Sequence, residues 1–384
     1  MSKTPSIAVI PSGYKASKVY SVLPTNGDAD LDFTRNCVAT RVNQNGLLEE
    51  VGLNVPRLDY SDGGCPSLLL EPQRTNLVTD AIVGDVTNDV DVTLKTVSPS
   101  GLTDATIPIA EYTYSRFEVN ISIGVYETDD ILTYSWYRKR ITEPSGTPAI
   151  GDLNIRGLVN LESLDVTEQI ESDVNGFDRF QRSVKVIDGS LGSSFKAYLG
   201  EVIGVGNQSV AYYGHQLELG AYATSLIYTS GSEVTRFQDQ ASKDNLESYI
   251  NSSEGVLYAE AKWLISTSFD RISISGASGQ SLSMRTSVDN SFQVLLYKDG
   301  DIQSQFNFGV NNFDYNNEYI KIAVSYKLNE TKLFVNGSQY GATDTTCLMP
   351  IGLNDLEVQK GITAKDLRVY NEALTDAELI ELTQ

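Results

Sequence analysis

The chain holds one histidine, His215, in 384 residues, and histidine is both the commonest general base near neutral pH and the commonest metal ligand. Every histidine-dependent catalytic scheme therefore rests on one side chain. In Tyr212-Tyr213-Gly214-His215-Gln216-Leu217-Glu218-Leu219, the apolar Leu217 and Leu219 share the parity of His215 while Gln216 and Glu218 alternate with it. Period-two spacing thus puts His215 on the apolar face of a strand. A packed structural imidazole is the expectation, and no catalytic residue is assigned. Carboxylates are plentiful: 50 Asp+Glu against 29 Lys+Arg leave a formal charge of −21. Glycosidic chemistry needs two carboxylates facing one another across a cleft. Among so many acids some pair is always available, so abundance does not argue for hydrolysis, and the parallel β-helix repeat that would favour it is missing. Cys37, Cys65 and Cys347 are odd in number, far apart and without a CxxC pair, which argues against a disulfide framework or a thiolate zinc site.

Aromatic residues offer a different chemistry. Tyr supplies 21 of them, Phe 12 and Trp 2, and a flat ring beside Asn, Asp or Gln can stack a sugar face while the polar neighbour takes its hydroxyls. The candidates are Tyr112, Tyr114, Trp136 and Tyr137 in the middle of the chain and Phe313, Asp314, Tyr315 and Asn316 further on. Tyr is equally an ordinary half-buried strand residue. For Trp136 and Trp263 core packing is the favoured role, and the cluster around Tyr315 stands evenly between the two. The acidic surplus, with no compensating Lys/Arg stripe, disfavours nucleic acid and anionic lipid as partners. No apolar run approaches the length of a membrane helix, and the apolar residues before Pro11 are too few for a signal peptide.

The elements that must position these residues are strands. Residues 1–76 carry short apolar pieces such as Ile7-Ala8-Val9-Ile10 broken by Pro11, Pro24, Asn26-Gly27 and Asn45-Gly46. Such pieces cannot bury a core alone, so this stretch is expected to be an extended arm with hairpins that packs on a later domain, a second copy or a larger assembly. Residues 77–240 read as a β-sandwich, with strands at Ala110–Val119, Ile131–Arg138, Ser183–Ile187, Phe195–Leu199 and Val210–Leu219. Residues 241–384 read as a second sandwich, with strands at Gly255–Trp263, Ser291–Tyr297, Tyr319–Tyr326 and Thr331–Val335. Its turns fall at Asp299-Gly300 and Asn336-Gly337. Thr375-Asp376-Ala377-Glu378 is a capping box that starts one short C-terminal helix. The expected class is all-β.

Two blocks carry a family resemblance. Asp32-Phe33-Thr34-Arg35, Ala39-Thr40-Arg41-Val42-Asn43, Pro56-Arg57-Leu58-Asp59-Tyr60 and Cys65-Pro66-Ser67 through Leu70-Glu71-Pro72-Gln73-Arg74-Thr75-Asn76 follow one another in an unusual order. This order resembles the N-terminal block of tailed-bacteriophage virion appendage proteins. Gln216-Leu217-Glu218-Leu219-Gly220 with Val234-Thr235-Arg236 is similar to the end of the carbohydrate-binding-like jelly roll that follows that block. Leu333-Phe334-Val335-Asn336-Gly337 and Ile362 through Leu379 resemble a laminin-G or concanavalin-type sandwich. The resemblance implies a virion structural protein, a head or tail fibre or capsid decoration subunit made in the host cytoplasm and carried on the particle exterior. Its implied partners are its own copies in a homotrimer, other head or tail proteins, and host-surface glycans. A tail receptor-binding protein and a glycan-degrading depolymerase are the alternatives.

Arg35, Arg41, Arg57 and Arg74 stand near Asp32, Glu49, Asp59 and Glu71, and forks paired with carboxylates can fix a core-poor segment. In a fibre they would sit at an intersubunit contact; solvated surface charge is the competing reading. Sandwiches of this type sometimes hold Ca²⁺, and Asp299, Asp301, Asp314 and Asn316 offer hard oxygens. Without EF-hand spacing, solvated loops are expected there, with neither metal nor cofactor.

Overall fold

The computed structural model describes residues 3–83, 90–110, 114–121, 126–141, 154–156, 161–163, 168–187, 195–203, 210–264, 270–287, 291–309 and 311–384. Among the described residues the chain is all-β apart from the helix Asp376–Thr383. It forms two compact units from interleaved stretches: Met1–Cys37, Gly52–Pro72 and Gln238–Gln384 make one, Val38–Val51 and Gln73–Phe237 the other. These boundaries differ from the expected division at 76 and 240. The arm is not a separate body: its short strands pair partly among themselves, and 7–9, 31–34, 67–70 and 74–76 also pair with strands built by later residues.

In the first unit two antiparallel sheets close on one core. One runs in the order 338–344, 330–335, 320–327, 254–263, 362–370, 67–70, 58–59, with 7–9 also paired to 362–370. The other runs 14–15, 18–19, 31–34, 240–243, 355–358, 271–275, 281–286, 291–298, 301–309. Leu257, Ile322 and Leu367 from the first sheet and Ile272, Leu282 and Val294 from the second share one buried cluster. Burying each such side chain contributes about 1.5–3 kcal/mol. The turns fall where expected, with positive φ at Asp299, Gly300, Asn336 and Gly337.

The second unit repeats the principle. Strands 114–121, 195–203 and 154–156 form one sheet and 95–97, 103–106, 210–219, 131–140, 177–186 and 161–163 another. Val119 and Ala197 meet Leu132, Tyr134, Val184 and Leu217 in a shared core. The hairpin Ala39–Val42 with Leu48–Val51 belongs here: Thr40 Oγ1 donates to the Leu226 carbonyl at 2.5 Å, and Val42 and Leu48 pack with Tyr137 and Tyr213. His215 is buried, as expected, with Nδ1 2.8 Å from the Tyr134 hydroxyl, although the alternation behind that expectation does not hold, since Gln216 and Glu218 are buried too and Leu219 is exposed. Burial pushes its pKa down to about 3, Lys95 adding to the effect, so the imidazole is neutral.

Charge holds the N-terminal residues in the first unit. The Asp239 carboxylate accepts from Arg35 Nη1 at 3.1 Å and from Arg57 Nη2, while Arg57 Nη1 donates to Glu71 Oε2 at 2.5 Å. The Glu71 N–H donates to Asp239 at 2.8 Å, and Arg35 also donates to the carbonyls of Cys37, Val55 and Gly52. All four side chains are buried, and two cations balance two anions, the condition under which buried charge is tolerated. Arg35 and Arg57 were expected at an intersubunit contact; they are instead sealed within their own unit. Arg41 pairs with Glu49 at 2.8 Å, one of the guanidinium–carboxylate contacts the block's composition allows. Arg74 stacks 5.3 Å over the Tyr222 ring and donates to the Gln73 carbonyl.

Candidate functional site

Among the described residues the aromatic candidates from the sequence do not assemble a site. Trp136 is 2% exposed and lies between Tyr134 and Phe180, its ring centroids 5.5 and 5.9 Å from theirs. Tyr137 is 1% exposed, with its hydroxyl donating to Glu171 at 2.8 Å. Tyr112 and the Tyr114 side chain lie outside the described residues. Tyr315 is fully buried against Phe292 and Phe308, and its carbonyl accepts the Trp263 N–H at 2.8 Å. Phe313 packs edge-on against Phe308 and Tyr340, while Asp314 accepts from Asn317. Asn316 is half-buried beside Tyr315. This loop plugs the core; it offers no open ring for a sugar to stack on. Among the described residues no group of three or more His, Cys, Asp or Glu is placed to hold a metal ion.

A cleft of about 280 Å³ opens elsewhere in the first unit, on the sheet face away from the main core. Strand Glu254–Trp263 sends Leu257, Ala259, Ala261 and Trp263 into that core. Alternation therefore turns Val256, Tyr258 and Glu260 to the opposite face. Strand Ile320–Lys327 does the same with Lys321, Ala323 and Ser325. On strand Ile362–Tyr370 the pairing shifts between Glu260 and Ala261, so Glu260 faces Asp366 and Ala261 faces Ala364. The extra residue, Lys365, is a bulge that lets Ala364 and Leu367 both reach the core although three positions apart. The result is an ordered lattice: Lys321, Glu260 and Asp366 are successive cross-strand partners, and Ala323, Tyr258 and Arg368 form the next row.

The helix Asp376–Thr383 forms the far wall. Eight residues make a marginal helix alone, so its ends and one face must be secured. Thr375 Oγ1 accepts the Glu378 N–H while Glu378 Oε2 accepts the Thr375 N–H at 2.8 Å, the predicted capping box. Those bonds hold the Glu378 carboxyl below its usual range. Leu379 then packs with Val256, Ala323, Phe334 and Leu374. Glu378, Glu381 and Leu382 line the cleft from the helix side, and Lys3 lines its rim. The Lys3 ammonium bonds Glu372 and the Ala373 carbonyl, both at 3.1 Å.

Within the cleft Arg368 grips Asp366 in a fork, Nε to Oδ1 at 3.0 Å and Nη2 to Oδ2 at 2.6 Å, with its Cζ 5.6 Å over the Tyr258 ring. Burial alone would lower the Arg368 pKa, but the Asp366 bonds and charge outweigh it and raise it. Burial, then Asp366 and Glu260, push the Tyr258 hydroxyl far above its ordinary value, so it stays a neutral phenol. Lys321 and Glu260 are half-buried cross-strand partners, yet neither side chain makes a hydrogen bond or ion pair among the described residues. A donor and an acceptor thus stand side by side, unengaged, next to a rigid Arg–Asp pair. That arrangement suits a ligand whose groups both give and accept hydrogen bonds.

Sequence reasoning missed this cleft. The alternation of Tyr258, Glu260 and Lys262 with Leu257, Ala259 and Ala261 was a readable signal for a polar face, but it does not say which strands lie alongside.

No protein-family model and no curated protein matches the chain. Among solved structures it is similar to the Ruminococcus gnavus IT-sialidase CBM40, at 15% identity over 35% of this chain and 84% of that one, with a TM-score of 0.30. It is also similar to Trypanosoma rangeli sialidase in complex with sialic acid, at 12% identity over 36% of this chain and 25% of that one, TM-score 0.30. The binding domain of Botulinum neurotoxin DC in complex with rat synaptotagmin II is similar at 13% identity over 38% and 40% of the two chains, TM-score 0.30. Likenesses this slight carry no functional weight; the cleft must speak through its own chemistry.

Proposed function

We propose that the chain is a non-enzymatic glycan-binding protein that holds a sugar in the cleft between the outer sheet face and the C-terminal helix. The observation that carries this reading is the unengaged Lys321–Glu260 pair beside the Arg368–Asp366 fork. Sugar hydroxyls are donors and acceptors at once, so one diol can satisfy both members of the open pair. Hydrolysis would need two opposed, available carboxylates. Both Asp366 oxygens are taken by Arg368 and Glu378 is engaged in its helix cap, so a hydrolase would have to use Glu260 and Glu381; binding without cleavage, and without a metal or other cofactor, is the reading put forward. Binding by the whole chain on a glycan array, unchanged by EDTA, is the expected result; release of reducing ends from host polysaccharide would replace it with the depolymerase reading.

The motif order of residues 32–76 supports placing this binder on the exterior of a bacteriophage particle, as a head or tail fibre or decoration subunit. Display as a homotrimer would combine several modest sites into useful avidity. Immunogold labelling of purified particles and sedimentation of the isolated chain test these two points, and absence of the protein from virions removes the first.

A further inference from the structure

We infer that the cleft selects an uncharged, hydroxyl-rich sugar and rejects sialic and other acidic sugars, an inference that rests on the glycan-binding reading of the same cleft. Its cations are Lys3, Lys321 and Arg368, and its anions Glu260, Asp366, Glu378 and Glu381. Most of these are already committed: Lys3 to Glu372 and the Ala373 carbonyl, Arg368 to Asp366, Glu378 to the Thr375 cap. Among the described residues, what remains unengaged is one ammonium, Lys321, against two carboxylates, Glu260 and Glu381. A bound carboxylate or sulfate would gain Lys321 but would be placed against Glu260, whose Cβ stands about 5 Å from that of Lys321 as a direct cross-strand neighbour. It would also enter the field of a chain carrying −21, and like charges brought together out of water are costly. A neutral diol meets neither penalty. One hydroxyl accepts from Lys321, the other donates to Glu260, and the Arg368–Asp366 fork beyond stays intact.

The test uses the full chain on immobilised glycans that share a core and differ only in a neutral, sialylated or sulfated terminus. Each is read at low and high salt, with Glu260→Gln and Lys321→Met variants whose melting temperatures match the parent. The expected result is retention of neutral termini only, little changed by salt, and weakened about tenfold by Glu260→Gln, the loss of one charge-assisted hydrogen bond. Selective retention of acidic termini that fades with salt and is abolished by Lys321→Met would overturn the inference while leaving glycan binding intact. Neutral retention indifferent to both variants would also overturn it, by putting the site elsewhere. Retention of no glycan at all would remove the underlying reading and the inference with it.

Discussion

The first unit contains two charge clusters of nearly the same composition and opposite character. Arg35, Arg57, Glu71 and Asp239 are buried, with the Asp239 carboxylate shared by Arg35, Arg57 and the Glu71 amide and the Glu71 carboxylate paired with Arg57. Lys321, Glu260, Asp366 and Arg368 line an opening, and half of them are unengaged. In the sealed cluster each charge has already exchanged water for a protein partner, so nothing remains to offer a ligand. In the open one, Lys321 and Glu260 keep their hydrogen-bonding capacity in reserve. Composition alone would not separate them; satisfaction of the partners does.

The largest effect should come from breaking the sealed cluster. Arg57→Ala strands Glu71 and Asp239 without their shared cation, and should cost about 3–5 kcal/mol in denaturant unfolding. A shift below about 1 kcal/mol would show that this cluster, too, is solvated.

Next comes a buried group in the other unit that is kept neutral. His215 has a folded pKa of about 3 against 6.5 for the free side chain, so the unfolded chain binds the extra proton throughout that window. Its contribution is intact above pH 6.5 and is lost as pH falls towards 3. Stability should drop by roughly 2 kcal/mol between pH 6 and 4.5 on this account. His215→Phe should flatten that segment of the profile, and an unchanged slope would assign the loss to carboxylates instead.

A smaller effect is expected at the cleft wall. Thr375→Ala removes the capping box and should cost about 1 kcal/mol, with faster amide exchange in the helix Asp376–Thr383. Equal exchange in both proteins would mean that Leu379 packing alone secures it. The least effect belongs to the open pair: Glu260→Gln should move stability by less than about 0.5 kcal/mol, because its carboxylate supports no contact. A large loss of stability on that change would erase the distinction between the clusters.

Much of this was readable in advance. Strand Val210–Leu219 has the bounds its run of strand-forming residues gave, the Thr375–Glu378 box starts the helix, and Asn336-Gly337 turns a hairpin. Arg57 and Glu71 were legible as members of one charged N-terminal block, 14 positions apart, though not as partners. Asp239 was not, since it lies 182 positions from Arg57 and only the sheet order brings it there. Trp136 and Trp263 are packed in the core, the role favoured for them, whereas Tyr137 could not be placed in advance: a strand's period shows that its two faces differ, while what covers each face is decided by distant chain. Both faces of that strand are covered, by separate apolar clusters.

The interleaved chain path has a consequence during synthesis. Ser6 bonds the Val369 carbonyl across 363 positions, next to the pairing of Ile7–Val9 with the same late strand. A ribosome adding about 5–20 residues per second leaves those first strands waiting roughly 20 to 70 s for their partner. Gln73–Phe237 emerges in the interval, joined by the earlier Val38–Val51 hairpin. The nascent chain therefore completes last the unit that it begins first.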